Sequence, residues 1–310
     1  MSAGKCEVCL EEKSELVTCG RCGNRKYCGR HPRMTTSLDG QADPPAGVAC
    51  QRKDWPTHKH SCQPKKQPSW ILKITIPDSR DPQIWRTLVC PDGATFQELH
   101  YAIQIAFGWA AAHSYDFVAR DPTAEERPVE DIMALIQRRM AQDKGEQRDF
   151  GPRQNFIRIV NPNDNRMIDS MHSYDRKHSQ TPEKKADKVY VGEQFSKKEW
   201  KNAEWEYMYD FGDNWGHEIE IIGRGKVDDT FKCTDGNGHG IAEDAGSMPG
   251  WEELKNAYRA ANPTDEQKER MQWYENRASN FDPEGLKGRE SYVDLSVINA
   301  LLRTSMDCMD

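Results

Sequence analysis

The chain has 310 residues, of which 36% are hydrophobic and 30% charged, and its formal net charge is -7. That length holds one large domain, or a small module followed by a medium one, in a soluble globular protein. No apolar run is long enough to span a bilayer and no charged-then-apolar leader opens the chain, so no membrane partner is expected. The charge is unevenly spread: residues 1–68 carry 12 Lys+Arg against 7 Asp+Glu, and the remainder carries 31 against 43. A mildly basic front ahead of an acidic body argues against nucleic acid as a partner, since duplex DNA needs a broad basic surface.

Seven of the ten cysteines fall between residues 6 and 62, in the order Cys6-x2-Cys9, Cys19-x2-Cys22, Cys28, Cys50 and His58-x3-Cys62. With the histidine they make eight ligands, enough for two tetrahedral Zn2+ ions. A Cys-x2-Cys turn directs two sulfurs at one metal, and His58 and Cys62, four apart, share one face of a helical turn. Scattered buried cysteines or a disulfide framework would not repeat the knuckle. The remaining Cys90, Cys233 and Cys308 stand alone, as expected in the reducing cytoplasm or nucleus. A module this short buries too little apolar area to fold unaided, and coupled zinc binding, about 10–16 kcal/mol, supplies the deficit.

Residues 50–62, CQRKDWPTHKHSC, together with the knuckles resemble the MYND zinc finger. The resemblance implies cross-braced metals, with Cys6, Cys9, Cys28 and Cys50 on one ion and Cys19, Cys22, His58 and Cys62 on the other. That family usually places its fifth and sixth ligands four apart, whereas 21 residues separate Cys28 from Cys50 here. Residues 29–49 therefore read as a loop insertion, tolerable because closure cost grows slowly with loop length. The insertion brings His31 as a rival ligand to Cys50, against which the Gln-x-x-Asp-Trp context favours Cys50. The resemblance further implies a docking module for proline-containing segments, with Gln51 and Trp55 at the groove-lining positions. A Pro-rich ligand has little entropy to lose and an indole offers it a flat apolar surface. The competing reading is that Trp55 only packs on the knuckles. Many such proteins also carry a lysine methyltransferase domain, but none of its signature runs, such as Asn-His-x-Cys, is present.

A polar, Pro-broken linker at 63–69 separates the finger (1–66) from a body (67–310). Alternation over 70–76 and 82–90 predicts a strand hairpin. Phe96, Leu99, Ile103, Ala106 and Phe107 are spaced for a buried helical face that stops at Gly108. A strand is expected at 113–118. The stretch of about 121–200 reads as a polar insertion, with an amphipathic helix over 125–144, a short strand at 156–160 and an unordered polar run over 161–188. Residues 205–211 and 215–222 alternate around a Gly-Asp-Asn turn, predicting a second hairpin. Helices are expected at 251–260, 264–277 and 295–302. The fold class is α+β, a small zinc-stabilised finger followed by a domain with a mainly antiparallel sheet.

The segments IWR, ELHYAIQIAFGW, HSYDF, YDFGDNWGH, EDAGSMPGWEEL and FDPEG resemble the plasmid pRiA4b ORF-3-like domain across most of residues 70–302. The resemblance speaks to fold and leaves the chemistry open. Within it, Asp210, Asp213 and His217 fall around one hairpin, and His113, Glu243 and Asp244 can join from neighbouring segments. Carboxylates with imidazoles can hold a metal or run acid–base hydrolysis, although aspartates in turns commonly accept backbone N–H bonds instead. Trp205, Tyr207, Tyr209 and Trp215 read as cross-strand packing, and His239 as a loop residue. The leading expectation is a zinc-binding protein–protein interaction adaptor that docks a proline-containing segment, its body serving as scaffold or second contact. The alternative is a metal-dependent hydrolase using the body's Asp/His cluster.

Overall fold

The computed structural model describes residues 4–13, 16–19, 22–28, 46–62, 66–125, 152–163 and 178–306. Two units divide the chain, Met1–Gln67 and Pro68–Asp310. The described residues of the first form two small antiparallel ribbons and a helix. Strand β1 (Gly4–Lys5) pairs with β2 (Glu12–Lys13), and β3 (Leu16–Thr18) with β4 (Lys26–Cys28). Helix α1 (Ala46–His58) follows. Among the described residues, the hydrophobic cluster of this unit is five cysteines and Tyr27, with Val8, Leu16 and Cys50 packed against it. So little apolar matter cannot offset the ordering of its backbone.

The second unit is an α+β domain around an eight-stranded sheet. The expected hairpin forms from β5 (Trp70–Thr75) and β6 (Trp85–Cys90), with Leu72 opposite Leu88. Thr95 caps α2 (Phe96–Phe107): its hydroxyl accepts the Glu98 N–H at 3.2 Å while the Glu98 carboxylate accepts the Thr95 N–H at 2.6 Å. Gly108, at φ 74°, ends the helix in the left-handed region. Phe96, Leu99, Ile103, Ala106 and Phe107 are all buried, as their spacing predicts. Strands β7 (Tyr115–Arg120), β8 (Asn155–Val160) and β9 (Glu183–Lys185) come next, then the short α3 (Val191–Phe195). The second hairpin, β10 (Glu204–Tyr209) with β11 (Trp215–Arg224), is followed by β12 (Lys232–Asn237) and helices α4 (Ser247–Arg259), α5 (Asp265–Asn276) and α6 (Leu295–Met306). The sheet order is β12-β6-β5-β11-β10-β7-β8-β9, and every pairing is antiparallel except β8–β9.

Two strands depart from expectation. The unordered run expected over 161–188 is corrected at its C-terminal end, where β9 forms and His178, Thr181 and Ala186 are buried. Its anchor is electrostatic. Arg158, almost fully buried, meets Asp116 at 2.6 Å and Glu183 at 2.9 Å, so a Glu-Lys-Lys strand is held without an apolar pattern. Strand β12, KCTDGN, is likewise a polar edge strand, the kind that alternation cannot reveal. Within 121–200, β8, β9 and α3 belong to the sheet and core. The helix expected over 125–144 lies, apart from Glu125, outside the described residues. So do His31 and Cys308. Among the described residues no helix is long and apolar enough to cross a membrane.

Candidate metal centres

Each ligand of the first unit is delivered by a short element. Gly23, at φ 70°, lets the 19–22 knuckle close through its N–H onto the Cys19 carbonyl at 2.8 Å. The Asn24 N–H lies 3.4 Å from the Cys22 sulfur. Cys28 ends β4. Helix α1 carries both Cys50 and His58, eight residues and so about 12 Å apart along its axis, too far to serve one ion. The helix therefore bridges two sites. Cys6, Cys9, Cys28 and Cys50 form one tetrad and Cys19, Cys22, His58 and Cys62 the other, the ligand atoms of each lying within 4.8 Å of one another. The structure brings Cys50 to its tetrad across the 29–49 insertion, whose reading as loop is corrected at 46–49, where α1 has already begun; residues 29–45 lie outside the described residues.

The separations fit zinc. The Cys19–Cys62 and Cys28–Cys50 sulfurs are 3.8 and 3.5 Å apart, and the Cys22 sulfur is 3.4 Å from His58 Nε2. A tetrahedron of about 2.3 Å Zn–S bonds has edges of about 3.8 Å, whereas a disulfide would close to about 2 Å. All but Cys9 and Cys50 of the eight residues are buried, so the thiols form the centre of the unit. Here zinc would act as a structural ion, closing each tetrad with four protein ligands and no open position.

Of the six residues proposed for a second site in the body, three converge. His113 precedes β7 and Asp210 follows β10, and the Asp210 N–H bonds the Ser114 carbonyl at 2.9 Å, so both stand at one end of the sheet. Asp244 arrives from the β12–α4 connection. His113 Nε2 lies 3.1 Å from Asp244 and 3.7 Å from Asp210. Asp213 instead accepts the Gly246 N–H at 3.0 Å. Glu243 is fully buried, accepting the Tyr209 hydroxyl and, at 3.2 Å, the Ala110 N–H. The sequence offered no sign of Ser279, whose hydroxyl bonds Asp244 at 3.1 Å from 35 residues away.

His217 does not join this cluster, so a hydrolase built on Asp210, Asp213 and His217 lacks its histidine. Period-two alternation puts the ring on the core face of β11, opposite Tyr207 and edge-on to Phe107 and Trp109. Its Nδ1 faces the Trp215 carbonyl at 2.9 Å while Nε2 has no partner among the described residues, which sets a neutral ring with the proton on Nδ1. Burial pushes its pKa down to about 4, and likewise that of His100 to about 3. Both lie below the unfolded value of about 6.5, so the unfolded chain binds the extra protons. The body is therefore most stable above pH 6.5 and loses stability as pH falls toward 4. At pH 5 the loss is on the order of 2 kcal/mol per histidine. Tryptophan fluorescence reports it cleanly, since Trp55 is the one tryptophan of nine outside the body. His217→Leu should flatten the decline in melting temperature between pH 7 and 5, and an unchanged slope would show that this ring is not a source.

The family described as plasmid pRiA4b ORF-3-like protein matches residues 69–289. Over 59 residues the chain is 37% identical to the N-lysine methyltransferase SMYD2 of Bos taurus and 36% identical to that of Homo sapiens. This match covers 19% of the chain and only 10% of either relative's length. Among solved structures, the chain is similar to the protein of unknown function MM3350 from Methanosarcina mazei Go1, with 22% identity and a TM-score of 0.49. That similarity covers 75% of this chain and 97% of the other.

Proposed function

The chain belongs to the plasmid pRiA4b ORF-3-like family, and on that premise we propose that it is a non-enzymatic zinc-binding adaptor. Its front end is a MYND-type finger that holds two Zn2+ ions and docks a proline-containing segment of a protein partner. The body serves as scaffold or second contact, and the protein works in the cytoplasm or nucleus, where its thiols stay reduced.

The observation that carries this reading is Trp55. Buried Tyr27 donates its hydroxyl to Asp54 at 2.8 Å, tying α1 to β4 and fixing the turn that carries the neighbouring indole. Trp55 itself stays 37% exposed, its ring 6.0 Å from that of His58 at an interplanar angle of 73°. A flat apolar side chain, backed by a metal ligand and open to solvent, is a rigid platform for proline rings. Gln51, one helical turn earlier, is half-buried and can offer its amide to the ligand backbone.

The test uses full-length, zinc-loaded protein against a library of proline-containing peptides. Trp55→Ala is expected to weaken binding by about 2 kcal/mol, a truncated aromatic hot spot, with the metal content unchanged. Release of metal by Trp55→Ala would assign the indole to packing, and a library without a binder would remove the docking role.

A further inference from the structure

Beyond the adaptor reading, we propose that His113, Asp210 and Asp244 form a divalent-cation site with an open coordination face, at the end of the body's sheet. The three donor atoms lie within 4.8 Å of one another, with His113 Nε2 at 3.1 Å from Asp244 Oδ1 and 3.7 Å from Asp210 Oδ2. Metal–ligand bonds of about 2.1 Å require donor–donor edges of about 3.0–3.4 Å; the two histidine edges lie within a few tenths of an ångström of that range, and the carboxylate–carboxylate edge is within 4.8 Å.

Each carboxylate divides its oxygens between two tasks. Asp210 Oδ1 accepts the N–H groups of Gly212 and Asp213, at 2.8 and 3.3 Å, which leaves Oδ2 toward the histidine. Asp244 Oδ2 accepts the Ser279 hydroxyl at 3.1 Å, which leaves Oδ1 toward the same point. Ligands held by outer partners in this way are pre-aimed. Charge supplies an independent argument. Among the described residues, no lysine or arginine pairs with Asp210, Asp213 or Asp244, so the two converging carboxylates face only the His113 ring. A divalent ion neutralises them.

One imidazole nitrogen with two carboxylate oxygens suits first-row divalent ions of the manganese-to-zinc series. Asp210 is largely buried, but the side chains of His113 and Asp244 are 31% and 50% exposed. The remaining coordination positions therefore face solvent, open to water or to one anionic ligand such as a carboxylate or phosphate. The surrounding loop is well anchored: buried Glu243 accepts the Tyr209 hydroxyl, and its own N–H bonds the Asn280 side chain at 2.8 Å.

The probe is Mn2+, added to full-length protein whose finger is already loaded with zinc; thiolate sites prefer the softer ion and will not exchange it. Loss of the free Mn2+ electron paramagnetic resonance signal should show saturable uptake of one ion per chain. His113→Ala and Asp244→Asn should abolish that uptake at unchanged zinc content, and Ser279→Ala should weaken it about tenfold. Asp244→Asn lies at the surface, so it keeps the test decisive should His113→Ala disturb its loop. No saturable uptake by the unaltered protein would reduce the three side chains to an ion-paired triad and overturn the proposal. Uptake that survives both substitutions would overturn it too.

Discussion

Stripping metal from the full-length protein is expected to unfold the two ribbons and helix α1 of the first unit while the body's sheet remains intact. Coupled zinc binding is worth about 10–16 kcal/mol per structural site, and among the described residues the hydrophobic cluster of this unit has only Tyr27, Val8 and Leu16 besides its cysteines. Elemental analysis should return two zinc ions per chain. After chelation, limited proteolysis should cut within the finger, and the fluorescence transition of the body should be unmoved. Cys22→Ala should expose the same cut sites, because a tetrad with three ligands loses most of its affinity. Exposed Cys9 makes the sharper comparison. As a surface residue Cys9→Ala would cost almost nothing, whereas as a ligand it should unfold its half of the finger. A metal-free protein with a protected finger would overturn the zinc assignment and the adaptor reading with it.

Arg86→Met is expected to be the most damaging single substitution in the body. Arg86 is 2% exposed and among the described residues its guanidinium pairs with no carboxylate; it donates instead to the carbonyls of Ala106, Trp85, Asn237 and Gly238, each at 2.8 Å. Burial pulls its pKa down to about 10, which still leaves it charged at neutral pH. One side chain thus ties together the end of α2, its own strand and the exit from β12. Methionine fills a similar volume but leaves the buried carbonyls of Ala106 and Gly238 and the part-buried ones of Trp85 and Asn237 without this donor, a loss of about 3–5 kcal/mol. For a body of this size that is a fall in melting temperature of roughly 10 °C. Arg86→Lys should restore little, since one ammonium cannot reproduce the planar fork. The exit from β12 leads to Glu243 and Asp244, so loosening it should also weaken Mn2+ uptake. A stability within 1 kcal/mol of the unaltered protein, on the scale of ordinary surface changes, would contradict this account.

The two Cys/His groupings were legible because knuckle chemistry is local. Two sulfurs separated by two residues make one turn, whatever the surrounding fold, and the eight ligands appear in order along 57 residues of chain. Helix α2 and the two hairpins were legible for a related reason: their apolar periods are the burial pattern itself. Edge strands β9 and β12 carry no such period, because solvent faces them and ion pairs or a buried arginine hold them in place. Proximity in the YDFGDNWGH segment also misled. Asp210 and His217 are neighbours in sequence, but the pleat sends His217 into the core while Asp210 turns toward His113 and Asp244, 97 and 34 residues distant. By itself, then, the sequence determined which residues meet within a turn or along one face of an element. Only the tertiary structure decided which ends of separate strands and loops face each other, because that depends on sheet order and on long-range pairings that no local spacing encodes.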